Sequence, residues 1–396
     1  MNFFSDDIRR NPFPMYDQMR GRSPVLHVPQ IDLWMIFDYE GVKRAMNDHE
    51  SFSSSMFTAN RGNPEWFIFF DPPRHSKLRA IIMRAFTPRV VSNLEPRIRE
   101  LARELLDQTI ERGEMDLAAD FSTPLPMMVI AEMLGVPTRD RARFTRWNDT
   151  MLGLSFSVPG GDEAAIAARN YFSVKAEMSE YLAGLLAERR SVPRDDLLTK
   201  LVAAEVDGER LSDEEILGFF QLLLVAGAET TTNLLNNAIL CFMDSPDQLA
   251  RLRRTPGLLP SAIEEVLRFR SPVQWIFRAT TREVELHGQK IPAGKLVLPI
   301  VGSANRDPRQ FAAADRFDIA RDPNPHVAFG HGVHFCLGAA LSRLEVRTVL
   351  PILLERLKGL ELVSNEPWEP RKALNIHGPS RLMIRFEQGE RTPTLS

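Results

Sequence analysis

Apolar residues recur every three to four positions from about Pro73 to Phe269, with Glu and Arg between them. That period predicts a mostly helical middle, and Ile98 to Ile110 is a clear amphipathic case. Ser212 to about Phe242 differs: it is apolar nearly all round, as a helix through a core should be. Ser212 with Glu215 reads as a capping box, and Asp213 and Glu214 suit the positive end of the helix. Gly227 in its middle costs about 1 kcal/mol relative to Ala, so something should offset it. Strands are predicted at Val25–Val28 and Leu33–Phe37, and a β-rich part from Val273 to Ile300 with a turn at Pro292-Ala293-Gly294. Leu360–Val363 and Leu382–Phe386 also read as strands. The polar tail, 386–396, is expected to fray. No linker or repeat interrupts the chain, so 1–396 reads as one mainly α domain with small β-sheets.

Composition changes this picture little. The 396 residues are 44% hydrophobic and 26% charged, an ordinary globular balance. A net charge of -3 gives no reason to expect a nucleic-acid partner. Two cysteines, Cys241 and Cys336, argue against a disulfide framework and fit a reducing cytoplasm. The start of the chain lacks a basic region followed by an apolar core, and Ile216 to Ala228 is too short for a bilayer. A cytoplasmic protein without a membrane anchor is therefore expected.

The chemistry concentrates in the run Phe329-Gly330-His331-Gly332-Val333-His334-Phe335-Cys336-Leu337-Gly338. Its glycines let backbone approach something large and flat. A helix is predicted from Leu337 to about Leu357. A thiol at a helix N-terminus meets unpaired N–H groups, which favour the thiolate. A lone Cys is more often inert packing. Zinc held by His331, His334 and Cys336 lacks a fourth ligand, and a Cys–His nucleophile is a further alternative.

This run resembles the haem-binding loop of the cytochrome P-450 superfamily: Phe, Gly, any, Gly, any, His or Arg, any, Cys, any, Gly. Ala226-Gly227-Ala228-Glu229-Thr230-Thr231 is similar to its oxygen-activation segment. Glu265-Val266-Leu267-Arg268 is similar to its Glu-x-x-Arg pair, which a further Arg joins; here Arg316 or Arg321 could be that member. Asp71-Pro72-Pro73-Arg74-His75-Ser76-Lys77-Leu78-Arg79 resembles the segment whose His and Arg bind the haem propionates. In that stretch Asp71 reads as the N-cap of a helix that puts His75 and Arg79 on one face.

The resemblance implies the superfamily fold, with haem b between two helices, and Cys336 as axial ligand to the iron. It implies a cofactor site of His75, Arg79, Arg278, His334, Cys336, Phe329, Gly330, Gly338, Ala226 and Gly227, with Glu229 and Thr230 relaying protons. Position in the family points to substrate-pocket walls at Trp66, Phe67, Ile68, Phe69, Leu222, Val225, Ala226, Val273, Ile276 and Ile376. Gln274 and His377 are the polar members, able to orient a substrate oxygen. The implied activity is hydroxylation of a small to medium, largely apolar molecule by dioxygen. A ferredoxin and its reductase would supply electrons to what is expected to be a monomer. A peroxide-driven oxygenase would not need Glu229-Thr230, and a haem sensor or carrier would usually carry an output domain.

Overall fold

The computed structural model describes residue 3 and residues 5–55, 66–137, 140–154, 161–363 and 367–392. The long helix spans Asp213–Asp244, 32 residues or about 48 Å. Its capping box is formed: the Ser212 hydroxyl accepts from the Glu215 N–H at 3.2 Å, and the Glu215 carboxylate accepts from the Ser212 N–H at 2.8 Å. Helices Pro124–Met133, Leu259–Phe269 and Ala339–Arg356 pack around it, which is why it is apolar on nearly every side. Polar side chains inside this packing staple elements together. Thr232 donates to the Ser122 carbonyl at 2.8 Å, and Asn237 donates to the carbonyls of Arg270 and His377, both at 3.0 Å.

A five-stranded sheet lies beside the helices, in the order Val25–Val28, Leu33–Ile36, Leu296–Pro299, Arg278–Thr280, Phe52–Ser53. Leu33–Ile36 and Leu296–Pro299 run parallel, and the other pairs are antiparallel. The β-rich stretch after Val273 thus resolves into four short strands, and Gly294, at φ +75°, makes the expected turn. Of the C-terminal strands, Met383–Arg385 lies between Glu361–Leu362 and Glu114–Asp116 and pairs with both; the last is a strand the helical period of its surroundings conceals.

Three local expectations change. The helix after Cys336 starts at Ala339, because Cys336–Gly338 form a turn in which the Ala339 N–H reaches the Cys336 carbonyl at 3.4 Å. Asp71 does not cap the helix Arg74–Ala85, whose cap position is Pro73. Its carboxylate instead accepts from the Ser54 N–H at 2.9 Å and from the Ser53 hydroxyl. The tail is also not free as far as residue 392. Asp107 accepts from the Thr392 N–H at 3.0 Å, and Arg356 donates to the Glu390 carbonyl at 2.7 Å. Residues 393–396 lie outside the described residues.

Candidate active site

The Cys336 loop is shaped by its glycines. Gly330 and Gly332 sit at φ +74° and +69°, where a side chain is strained. A Cβ on Gly332 would also stand 2.7 Å from the Asn47 Oδ1, so the loop can seat on the helix Tyr39–Asn47 only without one. The Cys336 N–H donates to the Phe329 carbonyl at 2.8 Å, closing the loop. Burial raises the Cys336 thiol pKa, while the Gly338 N–H and the guanidiniums of Arg79 and Arg343 pull it down. The net direction is opposite to that expected from the helix N-terminus alone, because enclosure outweighs the N–H groups. A coordinated metal ion would supply the missing positive charge.

Beside this loop four basic side chains gather from distant parts of the chain. The His75 and His334 rings lie 4.1 Å apart. His75 is fully buried, and neither of its ring nitrogens has a hydrogen-bond partner. His334 Nε2 meets the Ser54 hydroxyl at 3.1 Å. Burial holds the His75 imidazole down at about 4, with Arg79 and Arg278 pushing the same way. Burial, then Arg278 and His75, hold His334 at about 2. Arg278 is buried and pushed down to about 10 by that burial; it donates to the Phe277 carbonyl at 2.6 Å. Neither Arg79 nor Arg278 has a carboxylate partner among the described residues. Two neutral imidazoles and two guanidiniums form a donor set without an anionic partner among the described residues. Buried donors of this kind are costly unless an anion completes them. The two propionates of a haem are such acceptors, and Cys336 is the soft ligand its iron would take.

The long helix presents an open patch here. Ala226 is exposed although most of the helix is buried, and Val225, Gly227 and Thr230 are half-buried. Thr230 donates to the Ala226 carbonyl one turn back at 2.6 Å. Glu229 points elsewhere and is buried. It accepts from the Asn233 side chain at 3.1 Å, and Arg371 Nε stands 3.0 Å from its Oε1, off the line of a hydrogen bond. Burial raises the Glu229 pKa, and Arg371 opposes it. Arg371 was not legible as a partner, because it arrives on a C-terminal segment without a periodic pattern.

Gly227 has a packing role that offsets its helix cost. A Cβ there would stand 2.7 Å from the Ile130 Cδ1, so the missing side chain lets the helix Pro124–Met133 pack closely. Trp66 donates to the buried Gln221 at 3.0 Å and stacks on Phe69, with centroids 5.6 Å apart. Phe67 lies 5.6 Å from the His75 ring and 6.2 Å from Phe219 of the long helix. Ile68 is half-buried, Leu222 is buried, and Val273 bridges to Ile376. Ile276 packs into the sheet's apolar cluster.

The expected polar pocket residues are directed away. Gln274 donates to the Ser271 carbonyl at 2.7 Å, lies against Gly302 and, with Ile376, lines a small cavity closed by Phe3, Ile8 and Tyr16. The His377 ring packs on Phe13 and Trp368, with Nε2 3.3 Å from the Arg10 carbonyl. The N-terminal segment claims both, so neither is placed to hold a substrate oxygen. His331, His334 and Cys336 gain no further ligand: the described residues contain no group of three His, Cys, Asp or Glu suited to a metal ion.

Underneath, Glu265 and Arg268 are both fully enclosed. Arg268 Nε and Nη2 donate to the two Glu265 oxygens at 2.7 and 2.8 Å, and its remaining hydrogens reach the carbonyls of Asn305, Ala314 and Arg316. Arg321 is the third side chain, with Nε 3.1 Å from Glu265 Oε2; Arg316 contributes only its carbonyl. A neighbouring network escaped the sequence reading. Glu264 accepts from Arg343 at 2.6 Å and meets His326 at 3.0 Å, and Arg343 covers the Phe329 ring at 4.5 Å.

The Cytochrome P450 family model matches residues 7–255 and 257–381. Cytochrome P450 YjiB of Bacillus subtilis is 43% identical over 91% of this chain and 90% of that protein. The structure of CYP109Q5 from Chondromyces apiculatus superposes with a TM-score of 0.89 at 39% identity, covering 98% of both chains. CYP109E1 from Bacillus megaterium in complex with testosterone superposes with a TM-score of 0.86 at 38% identity, covering 95% of this chain and 99% of that one. No described helix is long and apolar enough to cross a membrane. This chain therefore belongs to the cytochrome P450 family, and it is a monooxygenase, an oxidoreductase whose cofactor is haem b.

Proposed function

We propose that the chain hydroxylates a small to medium, largely apolar molecule, with electrons from an external ferredoxin and its reductase. The observation that carries this reading is the cluster of His75, Arg79, Arg278 and His334 beside Cys336, which has no carboxylate partner among the described residues. Cys336 holds the iron, and the cluster receives the propionates. Phe329, Gly330, Gly338 and Ala226 border the macrocycle. When bound, the haem supplies dioxygen activation, which thiolate donation favours. A rigid apolar body is a suitable substrate, since the neighbouring CYP109E1 holds testosterone and the aromatic segment Trp66–Phe69 offers apolar walls. The electron donor docks on the face of the Cys336 loop, where Phe335 is exposed.

Proton handling is assigned to two neighbouring side chains. The Thr230 hydroxyl, tied to the Ala226 carbonyl, keeps its lone pairs available at the open patch. Glu229 lies behind it, its proton affinity raised by burial and opposed by Arg371. In Thr230→Ala, reducing equivalents are expected to leave as hydrogen peroxide while substrate binding persists. NADPH and peroxide assayed together measure this, and unchanged coupling removes Thr230 from the relay. In Arg371→Gln, loss of the opposing charge raises Glu229 further. The pH limb governed by Glu229 should then move to higher pH, whereas an unmoved limb would make Arg371 purely structural.

A further inference from the structure

A second cavity, of about 630 Å³, lies where Arg10, Arg270, Arg306 and Arg316 come together with Phe317 and Trp368. None of these residues belongs to the Cys336 cluster. That volume is in the range of small-molecule sites. The four cations arrive from four separate stretches of the chain and are incompletely paired. Arg10 donates to the Trp368 carbonyl at 2.7 Å and pairs with exposed Asp7. Arg270 pairs with Asp244, but its Nε is buried without a hydrogen-bond partner.

Arg306 is the most constrained of the four. Its guanidinium sits 3.6 Å from the centroids of both Phe13 and Phe269, clamped between the rings. Nε and Nη2 donate to the Phe269 carbonyl at 2.9 and 2.7 Å. Its Nη1 has no hydrogen bond to the described residues, and no carboxylate among them pairs with Arg306. Burial, then Arg270 and Arg268, depress its pKa to about 9, a sign of positive charge without an answering anion. Arg316 is exposed and forms no ion pair among the described residues.

We propose that this cavity is a binding site for a small organic carboxylate with a flat apolar body. A carboxylate can accept from the free Arg306 Nη1, with Arg270 and Arg316 lining the same cavity. Phe317 and Trp368 offer apolar surface to the body. Three aspartates share the lining, of which Asp244 is taken by Arg270 and Asp247 and Asp315 are exposed. Their charges disfavour a doubly charged phosphate more than a singly charged carboxylate.

The test is calorimetric titration of the haem-loaded protein with benzoate and, separately, inorganic phosphate. Benzoate should bind with a dissociation constant of about 1 mM or lower, and phosphate at least about tenfold more weakly. Arg316→Gln should weaken benzoate about tenfold and Arg316→Lys less; Arg316 is exposed, so both variants should fold. The Soret band should stay unchanged on titration, and quenching of tryptophan emission should disappear in Trp368→Phe. No benzoate binding, binding indifferent to Arg316, phosphate binding as tight as benzoate, or binding that shifts the Soret band would each overturn the proposal.

Discussion

Replacing Cys336 by serine is expected to abolish the red-shifted Soret band of the reduced carbon monoxide complex and to lower hydroxylation by more than about 100-fold. Changes in partners one shell out from a metal already cost about 10- to 100-fold, and this residue is the proposed ligand itself. The thiolate is also the group whose donation favours O–O cleavage, and an alkoxide or water cannot replace it. The fold should survive the change. Cys336 enters the loop through its N–H bond to Phe329, which serine keeps. Absorption spectra, with thermal melting as a folding control, measure both effects. A thiolate-type band that persists in Cys336→Ser would remove Cys336 from the iron, as would a histidine-type spectrum in the unaltered protein.

Arg268→Ala should be the most destabilising single substitution outside the cofactor site, at about 3–5 kcal/mol, the usual cost of breaking a buried ion pair by removing one partner. Both side chains are fully enclosed. Removal leaves Glu265 with Arg321, Asn324 and the Asp318 N–H, but orphans the carbonyls of Asn305 and Ala314. Lysine should not rescue, since one ammonium cannot reach two carboxylate oxygens and three carbonyls in fixed directions. Urea denaturation of the haem-free protein reads the stability, and haem content after purification reads the loop. A loss under about 1 kcal/mol would show that the network is replaceable.

Much of the fold was legible because it rests on local signals. The capping box at Ser212 and the all-round apolar pattern specified the long helix to within about two residues. Strands such as Leu33–Ile36 were visible in their β-rich residues. Glu114–Asp116 was not, because three residues between helical stretches carry no period of their own. The tail, 386–396, looked free because its polar composition says nothing of Asp107 and Arg356, which hold it as far as Thr392.

The sequence by itself determined the chemistry available: a cysteine in a glycine-bearing loop, an acid beside an alcohol, and cationic donors for an anionic cofactor. These are properties of residue type and short spacing, which the chain carries before it folds. Tertiary structure decided which partners meet. It set Arg321 rather than Arg316 on Glu265, brought Arg371 to Glu229, and placed Ile130 against Gly227. It turned Gln274 and His377 toward the N-terminal segment and closed His75 onto His334. Each of these joins positions far apart along the chain, and no local period encodes such a distance. They are settled only when the chain packs, as burial pairs most enclosed polar groups and fits side chains against one another.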